Sequence, residues 1–92
     1  MAKYLMLGRY SVDAIKGITQ DRTKKVADTI KKSGGKVESM HALLGKFDLA
    51  FMVDFPSMQD AMKTSVSLAK MTGISFMTLP AVTVDEFDKL VG

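Results

Sequence analysis

The chain has 92 residues, 47% of them hydrophobic, and a formal net charge of +3, which suits one small globular domain over residues 1–92, near the smallest size at which a core stabilises itself. It contains no cysteine, which excludes a disulfide framework, a thiolate zinc site and a thiol nucleophile, and suits a reducing cytoplasm. The opening MAKYLMLGRY carries only a short apolar run before Arg9, too little for a signal peptide or a spanning helix, so a soluble cytoplasmic protein with no membrane partner is expected.

Residues 3–10 alternate Lys3, Leu5, Leu7 and Arg9 with Tyr4, Met6, Gly8 and Tyr10, which predicts a first strand with polar groups at its ends. Helical spacing follows. Ser11 suits an N-cap, and Val12, Ile15 and Ile18 form an apolar face that Val26, Ala27 and Ile30 continue. Gly17 and the run Thr19-Gln20-Asp21 interrupt it, predicting a bend or a second N-cap that would divide the segment into two short helices. Lys31 and Lys32 suit a helix C-terminus, and Gly34-Gly35 supplies the left-handed cap.

Residues 36–44 and 47–55 read as two further strands, joined at Gly45-Lys46 by a two-residue type II′ turn. Pro56 stops the second of them. Ser57 and Asp60 form a capping box, and the helix that follows carries an apolar stripe of Ala61, Met62, Val66 and Ala69, ending near Gly73. Residues 74–82 regain strand character, with Pro80 confining the later part to a sheet edge or strand end. Thr83 and Glu86 repeat the capping box, and Val84, Phe87 and Leu90 mark a short terminal amphipathic helix.

The order strand, helix, strand, strand, helix, strand is the split βαβ arrangement, so the predicted fold is α+β and ferredoxin-like: a four-stranded antiparallel sheet, two helices on one face, and a short C-terminal helix. The other sheet face is left open. A turn at Gly45-Lys46 pairs Leu44 with Phe47, Ala42 with Leu49, Met40 with Phe51 and Glu38 with Val53. That register places Phe47, Leu49, Phe51, Val53 and Phe55 under the helices. Val37, Ser39, His41 and Leu43 then face outward, opposite Asp54, Met52, Ala50 and Asp48. A face so mixed implies partial burial, either as a subunit interface with a polar rim or as a pocket with a few polar groups on an apolar floor.

His41 is the only histidine, and in that register it lies diagonal to Asp48. An Asp-oriented imidazole is a candidate general base near neutral pH, so His41 and Asp48 are the candidate catalytic residues, although a structural histidine is the plainer reading. Tyr4, Tyr10, His41 and Met52 are the candidate ligand contacts, the two tyrosines through hydroxyls that line a cavity or merely cap the sheet. Arg9 can hold an anion through its bidentate fork; a surface charge at a strand end is the plainer reading. One histidine and scattered aspartates show no metal-ligand spacing, and no glycine loop opens a helix, so neither metal nor cofactor is expected. The eight methionines read as adaptable packing. Lys16, Arg22, Lys24, Lys25, Lys31, Lys32 and Lys36 make one segment basic, countered only by Asp21 and Asp28. Without a recognition motif or stacking aromatics this reads as a solvated helix face, and a nucleic-acid partner is not expected.

The stretch Leu44-Gly45-Lys46-Phe47-Asp48, with the apolar strand and Pro56 behind it, resembles the G-x-[YF]-D signature of the GYD-domain proteins. The opening strand, interrupted first helix, Gly34-Gly35 and final strand leading into an acidic-capped helix extend the resemblance over nearly the whole chain. Phe47 stands where tyrosine gives the family its name. The resemblance implies a dimeric α/β-barrel arrangement, with two ferredoxin-like sheets packed open face to open face, a homo-oligomer, and a cavity between the sheets; it implies no substrate.

Three functional readings follow. The first is a homo-oligomer, dimeric or higher, that binds a small molecule or partner where its sheet faces meet. The second is a cofactor-independent enzyme of the oxygenase or isomerase type, with His41 as base and Asp48 as its orienter. The third is nucleic-acid binding through the basic segment, which rests on charge alone.

Overall fold

Alternation along the first strand sorts its side chains to two sides of a sheet, and the helices cover only one. The computed structural model describes residues 1–92. Its elements are β1 (Ala2–Tyr10), α1 (Val12–Lys16), α2 (Gln20–Lys32), β2 (Lys36–Ala42), β3 (Leu49–Phe55), α3 (Met58–Thr72), β4 (Ile74–Ala81) and α4 (Val84–Val91). The strands form one antiparallel sheet in the order β2-β3-β1-β4, which is the expected ferredoxin-like α+β fold. Pro80 lies on β4, an edge strand, where its missing N–H is tolerated.

The core lies between sheet and helices. Tyr4 and Met6 of β1 and Phe51, Val53 and Phe55 of β3 meet Val26 and Ile30 of α2 and Ala61 and Leu68 of α3. Tyr4 and Phe55 pack edge to face with ring centroids 5.8 Å apart. Each helix starts where the sequence places a cap: the hydroxyls of Ser11, Thr19, Ser57 and Thr83 accept from the N–H groups of Ala14, Arg22, Asp60 and Glu86. The interruption near Gly17 is real, since Thr19 opens a separate helix. At the end of α2, Gly34 takes a φ of 82° while the Gly35 N–H donates to the Ile30 carbonyl at 3.0 Å, the bond pattern of a Schellman cap.

The local expectations for the β2–β3 hairpin are corrected. The β2–β3 connection is not a two-residue turn: β2 stops at Ala42 and β3 starts at Leu49, with residues 43–48 forming a loop. Leu44 and Phe47 are therefore unpaired, and Phe47 leaves the helix-covered face. The register agrees from Ser39 to Ala42, but a bulge between Val37 and Ser39 pairs Val37 with Val53 and Lys36 with Asp54. The extra residue shifts the parity, so Val37 packs against the core instead of facing outward.

The helix faces differ too. Val12, Ile15 and Ile18 are exposed, and the short α1 buries only Ala14. On α3 the inward stripe is Ala61, Thr64 and Leu68, leaving Met62 and Val66 outside. Ala61, Thr64 and Leu68 follow one another at three- and four-residue steps, the spacing of a single helix face.

Candidate functional site

The uncovered sheet face is built by parity. On β1, Tyr4, Met6 and Gly8 turn toward the helices, so Lys3, Leu5, Leu7 and Arg9 turn the other way. The ladder sets their neighbours: Leu5 lies between Met52 and Leu79, and Leu7 between Ala50 and Met77. Ser39 and His41 extend these two rows onto β2. The middle of the face is thus apolar, with Met77 51% and Leu79 39% exposed.

Charged groups bound the apolar middle at both ends. At one end Lys3 donates to both carboxylate oxygens of Glu38, at 2.7 and 2.6 Å, and reaches Asp54 at 3.4 Å. Hydrogen bonding to Glu38 raises the Lys3 pKa above its ordinary value; partial desolvation opposes this, and Asp54 adds to the rise. The bulge at Glu38 is what brings that carboxylate over Lys3. The cation at this end is already neutralised.

The other end is different. Arg9 pairs across the ladder with Ser75, and the 43–48 loop carries Lys46 and Phe47 over to them. Leu7, Arg9, Lys46, Phe47, Ser75 and Met77 line a recess of about 360 Å³, which Phe76 completes. The Lys46 ammonium stands 6.0 Å from the Phe47 ring centroid. The ion pairs of the chain are Lys3 with Glu38, Lys3 with Asp54, and Lys89 with Asp85, so neither Arg9 nor Lys46 has a carboxylate partner. A larger cleft of about 520 Å³ lies beside Lys3 and Asp54 and is lined in part by Pro80, Val82 and Glu86; its lysine is the one already paired.

The residues singled out in the sequence do not converge. Tyr4 is 6% exposed and belongs to the core on the helix-covered side. Tyr10 shares that parity, and the Arg22 guanidinium lies 5.5 Å from its ring centroid. Arg22 also donates to the Ala14 carbonyl, so it clamps α1 to α2. His41 and Met52 do lie on the open face, with His41 exposed and Met52 half-buried. Asp48 is engaged elsewhere: its carboxylate accepts from the Tyr10 N–H at 2.8 Å. Its N–H donates to the Gly8 carbonyl at 2.8 Å, and its carbonyl accepts from the Leu43 N–H at 2.7 Å. No hydrogen bond joins Asp48 to His41.

No group of three or more His, Asp or Glu side chains comes together as a metal site. No helix is long and apolar enough to cross a membrane. On the basic segment, Lys16, Lys24, Lys25, Lys31, Lys32 and Lys36 are all exposed, and no aromatic side chain interleaves them. Sequence reasoning missed Lys46 and Phe47 as partners of Arg9, because the assumed tight turn sent Phe47 to the core. The sequence holds no separate signal for the open loop, since a glycine before Lys46 suits a tight turn as well; the loop shows only in the Gly45 φ of 145°.

The arrangement defines a two-layer ferredoxin-like domain whose uncovered sheet face is apolar in its middle, with unpaired cations at one end. Comparison with protein families makes the assignment narrower: the GYD domain matches residues 4–91. The chain belongs to the GYD-domain family. The match includes the stretch Gly45 to Asp48 that resembles the G-x-[YF]-D signature, and its Asp48 ties the loop to the end of β1. Among solved structures, the leucine response regulatory protein LrpA of Mycobacterium tuberculosis is similar with a TM-score of 0.59 at 7% identity, over 89% of this chain. That likeness is one of fold, and this chain corresponds to 51% of the length of the regulator. No curated protein matches the sequence.

Proposed function

We propose that the protein is a homo-oligomeric small-ligand-binding protein whose open sheet faces meet, two subunits enclosing a cavity between them. The observation that carries the reading is the apolar middle of that face, where Leu5, Leu7, Ala50, Met52, Met77 and Leu79 form two adjoining rows. A sheet face meant for water over its whole width carries polar residues there.

The surface area supports the same reading. The chain exposes 6277 Å², whereas a folded monomer of 10.1 kDa is expected to expose about 5,300 Å². The excess of roughly 1,000 Å² is the size of one partner's share of a specific interface. Shape agrees, since the principal extents are 47 × 29 × 18 Å and α4 has no buried residue. LrpA, a leucine response regulatory protein by name, provides a precedent for this fold within a regulatory protein, by analogy only.

Sedimentation velocity at micromolar concentration tests the reading. The protein should sediment as a dimer or larger, and Leu79→Lys, which places a charge on the exposed middle row, should sediment as a monomer with an unchanged circular dichroism spectrum. A monomeric wild-type protein, or a Leu79→Lys variant that assembles normally, overturns it.

A further inference from the structure

We infer that the recess at the Arg9 end of the open face binds a small monocarboxylate with a compact apolar body, and that it discriminates against amino acids. This deepens the ligand-binding reading above and rests on it for the closure of the site, but its evidence is local.

Two unpaired cations converge on one recess. Arg9 and Lys46 come from different segments, β1 and the 43–48 loop, and neither makes an ion pair or a side-chain hydrogen bond. A guanidinium offers a fork of two parallel N–H donors that matches a carboxylate, and the Ser75 hydroxyl opposite Arg9 in the ladder adds a third polar group. The remaining lining is Leu7, Phe47, Phe76 and Met77. Two cations and a hydroxyl among four apolar side chains are the pattern of a site for an amphipathic small molecule rather than for a bare inorganic anion. About 360 Å³ accommodates a body of a few carbons or one ring.

The discrimination against amino acids follows from what the lining lacks. None of the lining residues is acidic, so an α-ammonium group there would stand beside two cations with no counter-charge. Asp48, next to Phe47 in the chain, has its carboxylate turned to the Tyr10 N–H. A zwitterion therefore loses on its ammonium what it gains on its carboxylate.

The test is an amide NMR titration of the full chain at low salt with four probes: 3-phenylpropionate, its uncharged amide, L-leucine and inorganic phosphate. Phenylpropionate should shift the amides of Arg9, Ser75 and Met77 saturably, while the amide, leucine and phosphate should bind at least about tenfold more weakly. Arg9→Gln should weaken phenylpropionate binding about ten- to hundredfold, and Lys46→Gln, whose cation is more mobile, by a smaller factor. Both residues are exposed and unpaired, so both variants should keep the wild-type spectrum away from the recess. Equal binding of acid and amide, stronger binding of leucine or phosphate, or undiminished binding by the double variant overturns the inference, as does no saturable binding at all. Sedimentation of the same samples separates the two proposals. A dimer without carboxylate binding overturns this one and leaves the assembly standing; a monomer that binds the carboxylate does the reverse.

Discussion

Asp48 offers the clearest test of how the signature residues work. Three bonds converge on it: its backbone joins β1 through Gly8 and the end of β2 through Leu43, and its carboxylate accepts from the Tyr10 N–H at 2.8 Å. Tyr10 pairs with Ile74 on the β4 side but lies beyond the last β1–β3 pair, Gly8 with Leu49, so no β3 residue replaces that acceptor if it is removed. Asp48→Ala keeps the two backbone bonds but leaves the half-buried N–H without a partner. A hydrogen bond to a charged acceptor contributes about 1.5–3 kcal/mol, and the orphaned donor is part of that loss. In a domain of this size, about 2 kcal/mol corresponds to a fall in Tm of roughly 8–16 °C. Asp48→Asn retains an oxygen acceptor without the charge and should lose about half as much. The assay is urea unfolding at one fixed protein concentration, because assembly shifts the midpoint. If Asp48→Ala unfolds within about 0.5 kcal/mol of wild type, or Asp48→Asn is as damaging as Asp48→Ala, the bond to Tyr10 is not what the aspartate is for.

Gly35→Ala should destabilise by about 1–3 kcal/mol in the same assay, because the new methyl would lie 2.8 Å from Ile30 Cγ2 and 2.9 Å from Phe55 Cε1, both in the filled core. Thr64 is fully buried and its hydroxyl has no hydrogen-bond partner, so Thr64→Val, which keeps the shape and removes the unmet polar group, should stabilise by about 1 kcal/mol. Lys3 has a raised pKa, so its ion pairs stabilise the fold fully below the unfolded-state value near 10.5 and lose that effect as pH climbs through the folded-state value. The stability gap between wild type and Lys3→Met should therefore shrink as pH rises through that alkaline range, and a gap that stays constant there contradicts it. Phe47→Tyr should change stability by less than about 0.5 kcal/mol, since the ring is half-buried outside the core cluster; a loss typical of a core aromatic would return Phe47 to the helix-covered face.

The architecture was legible because each element carries its own stop and start. Capping hydroxyls at Ser11, Thr19, Ser57 and Thr83 and glycines at 34 and 73 mark boundaries chemically, and the alternation along β1 and β3 reports which side is covered. What could not be read depends on one-residue shifts. A bulge leaves no composition signal, yet the one at Glu38 reverses the facing of Val37 and brings Glu38 to Lys3. Helix faces were harder for another reason. Apolar residues spread over a broad arc of α3, so spacing alone does not choose between the Ala61-Thr64-Leu68 stripe and its neighbour bearing Met62 and Val66, and a threonine in the inner stripe hides it from a purely apolar pattern. His41 and Met52 lie on the open face as the hairpin register implied, whereas the reading of Tyr4 and Tyr10 stayed open between cavity and sheet cap, because alternation gives a strand two sides without saying which one is covered; both prove to share the covered parity.

The 43–48 loop explains why these two levels of error meet at the same place. A type II′ turn at Gly45-Lys46 would keep Phe47 in the parity of Leu49 and Phe51 and send its ring toward a core that Phe51, Phe55 and Leu49 already fill. Opening the turn releases both Lys46 and Phe47 from the ladder, while Asp48 anchors the far end of the loop on Gly8 and Tyr10. Since β1 carries Arg9 between those two anchoring residues, the anchor fixes the distance between loop and guanidinium. The family signature then divides by role. Glycine permits the open loop, aspartate ties it to β1, and the aromatic position between them becomes a wall of the recess. A mutation at Asp48 should accordingly weaken carboxylate binding as well as the fold, without the aspartate itself touching the ligand.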